Sequence, residues 1–376
     1  MLSFYVFFGI LYALLLRGLG KSWRWETSGI RKEKTPTDVS IVVAYRNEAK
    51  NLGNLIDSVL SLTHRPLELV MVNDHSEDGG KMLVDAYRTK LLETEIRLVS
   101  SDNIGFGKKA AVTHGVEIAG GEVILTTDAD CELPTQWVEL MLAAFAEEEV
   151  HLVGGPVISS GQAGFFERFQ QIEWASILLV TQAGFLLGNP IMCSAANMAF
   201  RKSAFQQVNG FQGNDHIPTG DDEFLLKKFV RQFGTSSAKY LAHPEVLVKT
   251  RPHVGWSELF SQRIRWASKW RHHGSIAHML AAVFPAAVQL VWLVSCLLLQ
   301  QEWRGILVFC FIWILKISYE KMALGKVLKG LSIPIPSTGF WITSIIHPWY
   351  VLVTAVGTLF VNYTWKGRKY GVKQYF

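Results

Sequence analysis

From Val39 onward the chain alternates short apolar runs with amphipathic stretches. Runs at Val39–Tyr45, 67–72, 96–99, 123–127 and 152–157 have strand length and are rich in Val, Ile and Leu. Between the first two, Leu52, Leu55, Ile56, Val59 and Leu60 recur at the spacing of one helix face. The same reasoning predicts helices over 109–119 and 137–145. Strands alternating with helices of this length imply right-handed crossovers and an α/β fold, with a mostly parallel, Rossmann-like sheet covered on both faces.

The ends of the chain read differently. Residues 2–16 carry no charge, and apolar stretches at about 277–299, 304–322 and 339–361 follow the α/β region. The first lacks the basic start and small-residue cleavage site of a signal peptide, so an anchor is expected. Arg17, Lys21, Arg24, Arg31, Lys32 and Lys34 come next, which by the positive-inside rule places the following domain in the cytoplasm. Three later spans would leave the tail outside, whereas Lys366, Arg368, Lys369 and Lys373 argue for inside. A re-entrant or interfacial segment, broken at Pro334, Pro336 or Pro348, is one way out. The expected organisation is an anchor at 1–23, a cytoplasmic catalytic domain at 37–273 and a membrane region at 274–376.

Composition agrees. Of 376 residues 49% are hydrophobic and 18% charged, which excludes a disordered chain. Four cysteines without C-x-x-C spacing suggest neither a zinc site nor a disulfide framework. A net charge of +5 without an aromatic-interleaved basic stripe argues against a nucleic-acid partner.

In open α/β sheets ligands bind at the carboxyl ends of the strands, where polar residues gather here. Tyr45, Asn47 and Glu48 follow the first run, Asn73, Asp74 and Ser76 the second, and Asp128-Ala129-Asp130 the fourth. Residues two apart on an extended chain share a side, so both carboxylates of this D-x-D can face the crevice. Paired carboxylates suit Mg²⁺ or Mn²⁺ with substrate phosphates, which points to a diphosphate ligand. Taken alone, D-x-D also reads as a solvated acidic turn. Gly105-Phe106-Gly107-Lys108 precedes a helix, and either a phosphate-facing lysine or a plain turn fits it. Gly18 to Ser22 ends like a P-loop but lacks its first glycine and its strand, and His253, His272 and His273 are expected to be packed or exposed rather than metal ligands.

Two further constellations follow. Thr219-Gly220-Asp221-Asp222-Glu223 opens a helix, where capping and the dipole already favour acids, and where one carboxylate could serve as general base. Gln262-Arg263-Ile264-Arg265-Trp266 combines a phosphate clamp with a stacking ring, or is a basic interfacial helix.

In this order the motifs resemble membrane-bound glycosyltransferase family 2, the inverting GT-A fold shared by cellulose, chitin and hyaluronan synthases and ceramide glucosyltransferases. The likeness runs from about Val39 to Trp266. It implies a GT-A catalytic domain flanked by transmembrane helices, in a multi-pass plasma or inner-membrane protein with its active site in the cytoplasm. By resemblance Glu48 and Asp74 contact the nucleoside and Asp128 the nucleotide, with UDP as the carrier, and Asp130 holds Mg²⁺ or Mn²⁺; Tyr45 and Lys108, placed beside them by position, are added to the expected nucleotide-sugar site. Asp221 is the base, Arg263 and Arg265 hold the pyrophosphate, and Gln262, Trp266 and Asp222 border the acceptor. Ser194 to Asn197 is similar to the segment beneath the acceptor. Ala44 replaces a frequent proline, Asn73 a frequent aspartate, and Gly220 the glutamate of a T-E-D form.

Residues 165–187 hold an uncharged portion too short for a comfortable span. A buried helix and an interfacial helix admitting a lipid both fit it. About four spans make a poor enclosed channel, so a lipid or lipid-linked acceptor is expected, with processive polysaccharide synthesis as the alternative. A non-catalytic sugar-nucleotide-binding scaffold is the alternative of another class. The presence of Asp128, Asp130, Asp221 and Arg265 together argues against it.

Overall fold

β1 (Val39–Tyr45) lies inside the sheet, with six of its seven residues buried. It pairs in parallel with β2 (Glu68–Asn73), which pairs in parallel with β3 (Arg97–Asp102), and on its other edge with β4 (Val123–Thr126). Next in chain order come β5 (Cys131–Glu132), β6 (Leu152–Gly154), β7 (Val157–Ser159), β8 (Met198–Arg201), β9 (Ala238–Tyr240) and β10 (Val248–Thr250). The large sheet has the order β3-β2-β1-β4-β8-β6-β9, with β8 antiparallel to both neighbours. A small sheet has the order β5-β10-β7. The computed structural model describes residues 1–25, 38–161, 164–215, 217, 219–269, 276–360, 363–365 and 368–370. Arg31, Lys32, Lys34, His272, His273, Lys366 and Lys373 lie outside the described residues.

The helices are α1 (Leu2–Ser22), α2 (Ala49–Leu60), α3 (Gly80–Ala86), α4 (Arg88–Leu92), α5 (Lys108–Ile118), α6 (Trp137–Ala143) and α7 (Phe165–Leu186). They continue with α8 (Lys202–Gln207), α9 (Asp221–Phe233), α10 (Trp256–Ala267), α11 (Ile276–Val294), α12 (Glu302–Gly330) and α13 (Ser337–Phe360). Contacts divide the chain into two units. One holds residues 24–160 and 180–251; the other holds 1–23, 161–179 and 252–376. This division departs from the expected 37–273 domain, because the first part of α7 and all of α10 group with the apolar helices.

In the sheet unit, Ala111, Val112 and Val116 of α5 and Leu225, Leu226 and Phe229 of α9 join Val42, Val70 and Ile124 in one buried core. Each such aliphatic side chain, fully buried, contributes roughly 1.5–3 kcal/mol. Gly115 permits this approach, since a Cβ there would lie 2.5 Å from the Val42 side chain. The run expected as one strand at 152–157 is instead two strands in different sheets. The break is at Gly155 and Pro156, where the buried Asn197 side chain crosses and donates to the carbonyls of Pro156 (2.8 Å) and Val246 (2.7 Å).

In the other unit α1 and α12 run in the same direction. Gly9 lies against Ile312 and Gly20 against Ala323, and Lys326 Nζ donates to the helix-end carbonyls of Gly20 (2.8 Å) and Trp23 (2.7 Å). Among the described residues three helical stretches are long and apolar enough to cross a membrane: Leu2–Ser22, Val283–Gln300 and Ser337–Phe360. α12 is not among them, because Arg304, Lys316, Glu320 and Lys321 interrupt the stretch expected at 304–322. Two of these charges are internal: Lys316 and Glu320 are buried and paired at 2.6 Å, with Tyr12 donating to Glu320 and Lys316 to the Ser344 carbonyl. Pro334 and Pro336 lie in the link between α12 and α13, and Pro348 lies inside α13.

Candidate active site

The carboxyl ends of β1, β2 and β4 carry the expected polar residues, and the loop before α5 ties them together. Asp74, directly after β2 and buried, accepts through Oδ1 from Asn103 Nδ2 (2.9 Å) and from the Gly107 N–H (3.0 Å). It therefore shapes the loop that delivers Lys108 to the first turn of α5. Arg46 donates to the carbonyls of Asp74 (2.8 Å) and His75 (2.5 Å), holding the turns after β1 and β2, where Asn47 and His75 adopt positive φ. Asn73 is structural as well, donating to Asp102 and accepting from the Ser76 N–H. Glu48 occupies the position before α2, and its carboxylate accepts from the Asn51 side chain. The Tyr45 ring is buried, and its hydroxyl has no partner among the described residues. Burial and the nearby Asp102 hold that phenol well above its ordinary titration range.

Lys108 is where the site converges. Its ammonium lies 2.6 Å from Asp128 Oδ1 and 3.1 Å from Asp221 Oδ2, joining the D-x-D turn, the α5 loop and the start of α9. Burial opposes the lysine's charge, but the Asp128 and Asp221 carboxylates outweigh it and hold the ammonium protonated well above the ordinary lysine range. α9 begins here because Gly220 takes a left-handed conformation (φ 78°) that turns the chain sharply into Asp221. Asp222 faces the segment at 194–197, where it accepts from the Ala195 N–H at 3.4 Å. Asp130 accepts from Thr250 Oγ1 of β10 at 3.3 Å.

Among the described residues no cluster of three or more His, Cys, Asp or Glu could hold a metal by itself. Asp128 and Asp130, two residues apart after β4, are hard oxygen donors of the kind that hold Mg²⁺ or Mn²⁺ together with a diphosphate.

The residues of α10 form a cluster in the other unit. Arg263 is buried, and Nε and Nη2 make a bidentate pair with Glu173 of α7 at 2.8 and 2.7 Å. Tyr350 of α13 donates to the same carboxylate at 2.6 Å, and Gln262 accepts from Arg263. The guanidinium also lies 4.3 Å from the Trp266 ring centre. Arg263 is thus committed to an internal pair, while Arg265 and Trp266 are partly exposed. Glu173 follows Glu167, Arg168, Gln170 and Gln171 in the polar first half of α7, and nothing in the sequence singles it out. Asn103, Thr250 and Tyr350 had no signal either.

The glycosyl transferase family 2 model matches residues 40–208, which includes Tyr45 through Asp130 and ends before Asp221. Glycosyltransferase AglE of Haloferax volcanii is 30% identical over 229 residues, 60% of this chain and 71% of that protein. Poly-beta-1,6-N-acetyl-D-glucosamine synthase of Staphylococcus epidermidis is 25% identical over 232 residues, 61% of this chain and 53% of the synthase, so the chain spans about half of that relative's length. The mannosyltransferase PcManGT from Pyrobaculum calidifontis, solved with GDP-Man and Mn²⁺, superposes with a TM-score of 0.57 at 16% identity, over 95% of this chain and 96% of that one, which shows a common GT-A fold. With its site residues at the strand ends and these matches in sequence and fold, the chain belongs to glycosyltransferase family 2.

Proposed function

We propose that this glycosyltransferase moves a single sugar from a nucleoside diphosphate sugar to a lipid or lipid-linked acceptor at the cytoplasmic face of a membrane, inverting the anomeric centre. The observation that carries the reading is the convergence of Asp128, Lys108 and Asp221 at the strand ends. In it, one positive charge sits among carboxylates where a diphosphate and an acceptor hydroxyl would meet.

Asp221 takes the proton of the acceptor hydroxyl as its oxygen attacks the anomeric carbon from the face opposite the leaving diphosphate. Lys108 offsets the negative charge that grows on that diphosphate. Asp130, oriented by Thr250, and Asp128 hold the divalent metal, which when bound supplies further charge neutralisation for the leaving group. Tyr45, Glu48 and Asp74 line the nucleoside end, and Asp222 the acceptor side. Arg263, expected at the pyrophosphate, is assigned instead to holding α10 through Glu173.

The membrane reading rests on the three long apolar helices and on the exposed Phe4, Phe7, Leu14, Ile306, Leu307, Trp349 and Val356 of α1, α12 and α13. α1 and α12 run the same way, as a chain that enters, leaves and re-enters requires. α13 starts with Phe340 near Gly325, at the end of α12, and finishes with Gly357 against Ile264 of α10. Both ends thus meet elements assigned to the cytoplasmic side, which supports an interfacial or re-entrant α13 and a tail inside.

The test is the full-length protein in nanodiscs with labelled UDP- and GDP-sugars, Mg²⁺ or Mn²⁺ and total membrane lipid. Label entering the organic phase in the wild type but not in Asp221→Asn supports the proposal. Label in high-molecular-weight aqueous material would instead favour a polysaccharide synthase, the activity named for the staphylococcal relative. Donor binding without transfer would favour the scaffold.

A further inference from the structure

The turn between α12 and α13 borders an open groove of about 580 Å³ that no step of sugar transfer uses. Its wall is apolar, made by Leu328, Ile333, Ile335 and Phe340, while Lys321 and Lys329 stand at its edge. The two lysines lie eight residues apart, on one face of α12. Lys321 donates to Ser337 Oγ at 2.7 Å, and among the described residues neither lysine has a carboxylate partner. A lysine in the last helical turn is favoured by the helix dipole, which accounts for Lys329 but not for an apolar groove between two uncompensated ammonium groups. The same end of α12 carries Lys326 against the end of α1, beside Lys21.

We infer that this groove binds an anionic phospholipid of the surrounding leaflet, with the phosphate between Lys321 and Lys329 and the start of an acyl chain on Leu328, Ile333, Ile335 and Phe340. The charge complementarity is that of basic pockets at the cytoplasmic ends of membrane helices. The site is built wholly from the α12–α13 turn and is separate from the donor site. The inference rests on the membrane reading above, and on no assignment of donor or acceptor. Its consequence is that an anionic lipid stabilises the turn from which α13 starts.

The test uses full-length protein in nanodiscs of phosphatidylcholine with and without phosphatidylglycerol, reading retained lipid by native mass spectrometry and stability by thermal melting. Wild type is expected to retain a single phosphatidylglycerol and to melt higher in its presence. Lys321→Gln with Lys329→Gln is expected to weaken retention roughly tenfold or more. Gly325→Leu, which extends a side chain into the groove while leaving both charges, is expected to expel the lipid. Equal retention of phosphatidylcholine, unchanged retention in both variants, or equal stabilisation by inorganic phosphate would each overturn the inference. Extraction of the protein by alkaline carbonate would overturn the membrane reading itself. A carbonate-resistant protein without lipid preference overturns this inference alone.

Discussion

Lys108 Nζ stands 3.1 Å from Asp221, so the residue proposed as base is held by the same ammonium that contacts Asp128. Asp221→Asn keeps the shape and a polar contact but cannot take a proton. Transfer should fall by about 10²–10⁴-fold, with donor affinity measured by calorimetry nearly unchanged. Equal activity of the mutant would remove Asp221 from the chemistry. Lys108→Met should weaken nucleoside diphosphate binding by roughly tenfold or more, because a charge-assisted contact is lost.

Thr250 orients Asp130 by a 3.3 Å hydrogen bond from its hydroxyl. Thr250→Val should raise the Mn²⁺ concentration needed for half-maximal transfer by roughly 10-fold, as loss of an outer partner commonly does. At saturating metal the rate should recover. An unchanged metal requirement would mean that Asp130 does not hold the metal.

Glu173→Ala leaves the buried Arg263 guanidinium without its carboxylate. The cost should be about 3–5 kcal/mol, read as a lower melting temperature in nanodiscs. Glu173→Leu combined with Arg263→Met removes both charges and should recover most of that loss. Tyr350→Phe removes one hydrogen bond to a charged group and should cost about 1.5–3 kcal/mol.

His151 packs 4.4 Å from the Phe233 ring centre, with Nδ1 buried and unpartnered among the described residues. Burial and the neighbouring Arg201 lower its pKa from the ordinary 6.5. The folded state therefore binds fewer protons than the unfolded one as the pH falls through that value, and stability drops below it and is fully present above it. Melting temperature should decline between about pH 6.5 and pH 5, and His151→Gln should flatten this part of the profile.

The location of the tail separates an interfacial α13 from a spanning one. A reporter fused after Phe376 should be active only in its cytoplasmic form, and likewise for a reporter placed at Ser332 in the link after α12. A tail reporter active on the far side would make α13 a third full crossing after the catalytic region.

The α/β core was legible because its cues are local. Buried strands read as apolar runs, and Leu52, Leu55, Ile56 and Val59 on one face of α2 are all buried. The run at 152–157 carried a local break signal in Gly154-Gly155-Pro156, but that the side chain of Asn197, distant in sequence, fills the break is decided only by the tertiary fold. α12 was harder for a related reason. A hydropathy count sees Lys316 and Glu320 as two charges, whereas folding joins them with Tyr12 and Ser344 into a satisfied network.

Taken alone, the sequence determined which residues could do chemistry: carboxylates after β4 and at the start of α9, a lysine at the start of α5, and an arginine-tryptophan motif on α10. Their types and their places at element ends follow from short-range physics. Only the tertiary structure decided their partners, because electrostatic contacts depend on distances set by crossovers and long connections. Those distances put Lys108 between Asp128 and Asp221, gave Asp74 the α5 loop to hold, and turned Arg263 inward to Glu173 and Tyr350 rather than leaving it for a ligand.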